Sequence, residues 1–355
     1  MLQYRKSIYY WLLTGCVLVY SMVMIGGVTR LSGSGLSIVK WDLWHGTLPP
    51  FNDADWNHVF DLYKQSPQFQ KVNYDFTLAD FKKIFWWEYI HRLTGRLIGV
   101  VFIVPFLYFF VTKKLDRVLF RRLLFIFLLG GLQGALGWFM VASGLQDNPR
   151  VSHYRLAAHL ITALMVFGYI YWTALEYRRS SSLKASSTEN IIPPGFRFSI
   201  FLFLLVVLQI IYGAFVAGLK AGHFYNTFPL MGDSFLPDGS FSMTPWFSNL
   251  TENIGTVQFI HRLLAYMVTL GFVYLWWKYG RTASDKLRER LIRYLLIIVL
   301  IQFLLGVLTL LSSVNIYAAL LHQTGAFVLF AAFINYLHVM TGALRTTQQL
   351  QGEGL

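Results

Sequence analysis

Four histidines carry the chemistry to be asked of this sequence. His91, His159, His261 and His322 each fall inside a long apolar run. Titratable groups in such surroundings are costly and need a reason to be there. "WWEYIHRLTGR" at 86–96 and "VQFIHRLLAY" at 257–266 write Ile-His-Arg-Leu twice, about 170 residues apart. "LAAHLITA" at 156–163 and "AALLHQTGAF" at 318–327 place a second histidine early in a later apolar run of each set. Imidazole is a frequent axial ligand of haem iron. Two imidazoles at one depth on neighbouring helices can take an iron porphyrin between them. Zinc is the other histidine-rich option, but it usually adds Cys or carboxylate ligands, and neither recurs here.

The neighbours of these histidines are informative. Arg92 and Arg262 directly follow His91 and His261, and Arg96 lies one turn beyond Arg92. Guanidinium groups pair with carboxylates, so these three are candidates to hold haem propionates; anchoring at the membrane interface is the alternative. Glu88 stands three residues before His91, on the same helix face, where the second copy has Gln258 before His261. A carboxylate in the first copy could move protons or stabilise developing positive charge. Pairing with Arg92 or Lys83 is the plainer use for it. The difference predicts a reactive site in the first half and a structural or electron-transfer haem in the second.

Something must position these residues, and composition says what. The 355 residues are 55% hydrophobic, 17% aromatic and 13% charged, with mean hydropathy +0.50. A soluble domain carries roughly 25% charged residues. A membrane span needs about 20 apolar residues. Eight such runs can be read, at about 8–28, 86–111, 119–141, 154–177, 197–219, 256–279, 291–312 and 317–341. The expected fold is all-α, with eight spans as two pseudo-symmetric four-helix bundles. The first run reads as a span rather than a signal peptide, because it is too long and no small-residue cleavage site follows. The net charge of +13 points to no nucleic acid. Of 30 Lys and Arg, 18 lie in the tail at Arg5 and Lys6, in segments 112–122, 176–197 and 278–293, and at Arg345. Those places share one side if there are eight spans, so the positive-inside pattern predicts cytoplasmic termini. Each of the four histidines then lies five residues past the outer end of its run, roughly 7–8 Å into the membrane. The one cysteine, Cys16, sits in the first run, which leaves no disulfide or CxxC pair within the chain.

The chain divides at "EYRRSSSLKASSTENIIPPGFR" (176–197), a Ser-rich connector ending in two prolines. The expected division is a first half over 1–178 with an outer loop at 29–85, a cytoplasmic linker at 179–195, a second half over 196–345 and a tail at 346–355. In each half the third run carries a Gln followed by glycine, "LQGALG" at 132–137 and "IQFLLG" at 301–306. Such register marks a duplication. Glycines 130, 131, 134 and 137 would let a neighbouring helix or a ring approach. In the outer loop, segments 55–73 and 77–89 show helical spacing, the second opened by Thr77 and Asp80 as a capping box. They predict short amphipathic helices on the outer membrane face. The counterpart at 220–255 lacks that pattern. His153 reads as a surface residue, and His45, His58, His223 and His338 have no assigned role.

"GGVTRLSGSGLSIVKWDLWHGTLPP" (26–50) followed by "IFWWEYIHRLTGRLIG" (84–99) resembles the haem A synthase family, in its long-loop branch of mitochondria and many Gram-negative bacteria. The resemblance covers nearly the whole chain. It implies oxidation of the C8 methyl group of haem O to a formyl group, giving haem A for cytochrome c oxidase. It implies haem O, or the product haem A, at His91 and His159, a haem b cofactor at His261 and His322, and a catalytic role for Glu88. Some members pair two outer-loop cysteines, and this chain has none there. An electron donor not identifiable from sequence is implied, and haem O synthase and oxidase assembly proteins are candidate partners. A homo-oligomer is left open, and the bacterial inner membrane is the expected location. A dihaem b-type cytochrome for quinol oxidation is the alternative, needing the same histidines but not Glu88. A transporter is a further rival, since repeats and intramembrane charge occur there.

Overall fold

The computed structural model describes residues 5–40, 48–146, 149–180, 193–283 and 285–352; side chains are described through residue 341, Ser180 excepted. His45, linker residues 181–192 and residues 353–355 lie outside the described residues. Ten α-helices follow among the described residues: α1 (Lys6–Leu31), α2 (Asp53–Lys64), α3 (Pro67–Lys71), α4 (Leu78–Val111), α5 (Arg117–Ala142), α6 (His153–Ser180), α7 (Phe196–Gly218), α8 (Ile254–Leu275), α9 (Lys286–Leu311) and α10 (Ile316–Gly352). α8 runs on into a π-helical turn at Trp276–Gly280. No strand forms among the described residues. Eight of the helices, α1 and α4 to α10, are long and apolar enough to cross a membrane. The protein is thus an all-α, multi-pass integral membrane protein.

Local chemistry starts and stops these helices. Asp116 accepts from the Leu119 N–H at 2.7 Å to open α5, and Asn253 accepts from the Thr256 N–H at 3.0 Å to open α8. Such caps satisfy backbone donors that a helix end leaves over. α1 ends at Leu31 and the chain turns away at Gly33, where φ is +69° and the Ser34 N–H bonds back to the Thr29 carbonyl at 2.8 Å. A residue with a side chain is disfavoured at that angle. Along α4, Val100, Val104, Leu107 and Val111 stay exposed, as do Leu300, Leu304, Leu308 and Leu311 along α9. Their spacing of three and four gives each helix one apolar stripe, which water would penalise and hydrocarbon accepts.

One boundary differs from the sequence reading. Segment 77–89 is not a separate helix. The Thr77 and Asp80 capping box forms, and from it α4 runs unbroken into the membrane. The reason is packing outside the apolar run. Phe81, Ile84 and Phe85 close on Trp56, Phe60 and Tyr63 of α2, with the Tyr63 and Phe81 rings stacked at 5.0 Å. His91 therefore lies 13 residues after the start of its helix at Leu78, whereas His159, His261 and His322 lie six or seven after theirs at His153, Ile254 and Ile316.

The chain forms two compact units. One is Thr14–Phe167; the other gathers Gly168 onward with the N-terminal residues through Leu13. The first holds the aromatic core just described, tied to the end of α1 by Gln68, whose amide donates to the Gly33 carbonyl at 2.8 Å. The second is built on Leu202, Phe272, Leu275, Leu295, Phe333 and Tyr336, all from its four long helices and buried. Its segment between α7 and α8 carries two 3-10 turns, at Ala221–His223 and Trp246–Leu250.

Candidate functional site

Each of the four histidines rests against a glycine of the preceding span. A Cβ placed on Gly26 of α1 would stand 3.1 Å from His91 Nε2 on α4. On Gly137 of α5 it would stand 3.0 Å from His159 Cε1 on α6. On Gly213 of α7 the distance to His261 Cε1 on α8 is 3.2 Å, and on Gly306 of α9 it is 2.9 Å to His322 Cε1 on α10. Real Cβ atoms rarely come that close, so each ring occupies the space a side chain would take. Gly130, Gly131 and Gly134, by contrast, face open space. Of the four α5 glycines singled out in the sequence, only Gly137 serves a close approach.

The histidines come together in two pairs. His91 and His159 interact electrostatically within the first unit, and His261 and His322 do so within the second. Side-chain amides reach three of the four rings. Gln133 Nε2 lies 3.4 Å from His159 Nε2, Gln209 Nε2 lies 3.5 Å from His261 Nε2, and Gln302 Nε2 lies 3.1 Å from His322 Nδ1. The second nitrogens of two rings, His159 Nδ1 and His261 Nδ1, are buried without a hydrogen bond, as are the Oε1 atoms of all three glutamines. Buried polar atoms are normally satisfied, so each such exception calls for an explanation, a further partner being one.

Glu88 is 2% exposed and both its oxygens are engaged. Oε2 accepts from Ser37 Oγ at 2.7 Å and from the Ile38 N–H at 2.9 Å. Oε1 accepts from Arg92 Nη2 at 2.7 Å. The same Arg92 nitrogen donates to the Ile38 carbonyl at 2.8 Å, and Nη1 donates to the Lys40 carbonyl at 3.3 Å. Lys83 is not its partner but pairs with Asp80 at 3.0 Å. Glu88 and Arg92 thus pin the chain that follows α1 onto α4. The second unit repeats the device with a neutral amide. Gln258 Nε2 donates to the Tyr225 carbonyl at 3.2 Å, and Arg262 donates to the carbonyls of Tyr225, Thr227 and Leu230 at 2.8, 2.9 and 3.1 Å. Arg92 and Arg262 spend these donors on backbone carbonyls, which the sequence reading had not anticipated. Arg96 is half-buried on α4.

The remaining histidines separate cleanly. His153, expected at the surface, is 8% exposed, its ring 4.0 Å from that of Tyr154 at the start of α6. His338 is buried against Glu176, Nε2 to Oε2 at 3.2 Å. His58 and His223 are exposed. The sequence reading passed over Gln209. The signal was present, since "LQIIYG" at 208–213 repeats the spacing of "LQGALG" and "IQFLLG". Ser37 and the Ile38 amide carried no signal at all, because their partner is some 50 residues away.

The geometry defines a class: a multi-pass helical membrane protein bearing two pairs of neighbouring imidazoles, each ring seated on a glycine. The chain belongs to the cytochrome oxidase assembly protein family, whose model matches residues 9–334. It is 46% identical over 329 residues to a protein of Nitrosospira multiformis named "Heme A synthase", covering 92% of each chain. It is 45% identical over 334 residues to one of the same name from Parvibaculum lavamentivorans, covering 94% of each. A third, from Flavobacterium psychrophilum, is 44% identical over 338 residues, covering 94% of this chain and 98% of its own.

Proposed function

We propose that the protein is a haem A synthase, oxidising the C8 methyl group of haem O to a formyl group for cytochrome c oxidase. Similarity to proteins of that name over more than nine-tenths of both chains supports it. The structural observation that carries it is the repeated seat of imidazole on glycine, with buried nitrogens left to bond. Those residues fit a porphyrin iron: neutral imidazole is the donor, and the glycines clear the approach. His91 and His159 would hold the substrate, and His261 and His322 a haem b. When bound, the cofactor supplies one-electron chemistry. A dihaem electron carrier would find no use for the difference between Glu88 and Gln258.

As a half-reaction, one methyl group and one water give one formyl group, four protons and four electrons. Protons must therefore leave next to the reacting edge, and Glu88 is the group of this chain suited to take them. Arg92 and Arg262 hold the loops over the two sites, and with Arg96 they are the cations available to carboxylates of a bound macrocycle. Each half, 1–178 and 196–345, forms its own site in two related bundles joined by the linker 179–195. The tail 346–355 and both termini lie in the cytoplasm, and the bacterial inner membrane is the location. The electron donor, haem O synthase and oxidase assembly proteins are its partners.

Extraction and chromatography of bound haems test the reading. Glu88→Gln should keep the bound haem and its Soret band while haem A gives way to haem O. Undiminished haem A in that variant would remove Glu88 from the chemistry. Purified protein without a Soret band would remove the function altogether.

A further inference from the structure

The four histidine seats share a glycine and differ in one residue. Gln133, Gln209 and Gln302 each stand four residues before the seat glycine, at 137, 213 and 306. Four residues before Gly26 is Met22. Its Cε lies 3.3 Å from the Cβ position of Gly95, one turn after His91. Among the described residues no side-chain amide reaches the His91 ring.

We infer that Gln133, Gln209 and Gln302 are positioning residues for the haem ligands, and that Met22 makes His91 the releasable ligand of the first-half site. The inference rests on the proposed function. A neutral imidazole that gives one nitrogen to a metal carries its proton on the other. That N–H needs an acceptor, which fixes the ring and raises its basicity. The Oε1 atoms of the three glutamines are buried and unbonded. Half a turn of the amide exchanges Nε2 for Oε1 on the His159 and His261 rings, whereas Gln302 Nε2 also donates to the His322 carbonyl at 2.9 Å and holds its ring through that backbone bond. A thioether is a poor acceptor and a flexible one. His91 therefore has no such anchor. A cofactor must stay, and both of its ligands, His261 and His322, have an amide. A substrate must enter and its product leave, and the one missing amide falls on that side.

The test uses the full-length protein in lipid nanodiscs, carrying the haems it was purified with. Excess apomyoglobin takes up whatever haem is released, and the Soret spectrum follows the transfer. Loss of a kinetic phase in His91→Ala and in His261→Ala assigns each phase to its half. Met22→Gln should slow the first-half phase about tenfold, the lower end of what partners of a metal ligand contribute, while Met22→Leu leaves it unchanged. Should Met22→Gln fail to fold, Gln133→Met makes the reciprocal change and should speed that phase. Gln209→Leu should raise the midpoint potential of the second-half haem by about 59 mV, a tenfold preferential loss of the ferric form. Gln209→Glu, which restores an acceptor, should return it toward or below the wild-type value. A first-half rate indifferent to Met22→Gln or to Gln133→Met, or a potential indifferent to Gln209→Leu, overturns the inference while leaving the proposed function standing. Wild-type protein without bound haem overturns both.

Discussion

Glycine is usually discussed for its backbone freedom, but at four places here its value is the volume it leaves empty. A methyl group on Gly137 or Gly306 would stand 3.0 or 2.9 Å from a histidine ring carbon. Overpacking of that kind costs about 1–3 kcal/mol. If the ring gives way, that cost appears as roughly tenfold weaker haem retention. Gly137→Ala and Gly306→Ala should each lose haem from their own half, measured as Soret absorbance per protein after gel filtration. Gly134→Ala, which faces open space, should behave as wild type. Equal loss in all three would mean that ring position is not set by these contacts.

At the scale of the element, the long α4 does two jobs along one axis. Its first three turns belong to the aromatic core shared with α2, and its later turns carry His91. The capping box at its start should contribute about 1 kcal/mol, so Thr77→Ala should lower the thermal midpoint in detergent by a few degrees without changing the bound haem. The clamps are a second device of this scale. Arg262 lashes residues 225–230 to α8 through backbone carbonyls. Hydrogen bonds to charged groups contribute about 1.5–3 kcal/mol. Arg262→Ala should therefore open that segment to limited proteolysis. Cleavage no faster than in the wild type would show that other contacts hold it.

For the whole molecule, two compact units imply two sites that fail separately. His261→Ala should strip the second-half haem and leave the first-half haem spectroscopically intact, and His91→Ala should do the reverse. Extraction followed by chromatography reads both at once. Joint loss from either single substitution would mean that neither half builds its site alone. The proposed orientation is open to the same direct treatment: a reporter fused after Leu355 should be active only on the cytoplasmic side.

Much of this was legible in the sequence because it is written in local terms. Eight apolar runs became eight spans, since twenty apolar residues have few alternatives to a membrane helix. The four histidines stood out because a titratable group in such a run is conspicuous and the chain writes the pattern twice. The capping box at Thr77 was readable for the same reason, as its partners are three residues apart. Tertiary structure alone decided what joins residues distant in sequence. Nothing local ties Glu88 to Ser37, Arg262 to Thr227, or His91 to Gly26. Nothing local says that Gly137 faces a ring while Gly134 faces lipid or solvent. Residues 77–89 continued into a span because α2 folded back to cover their aromatic face. Periodicity records which side of a helix is apolar, but only packing determines what that side meets.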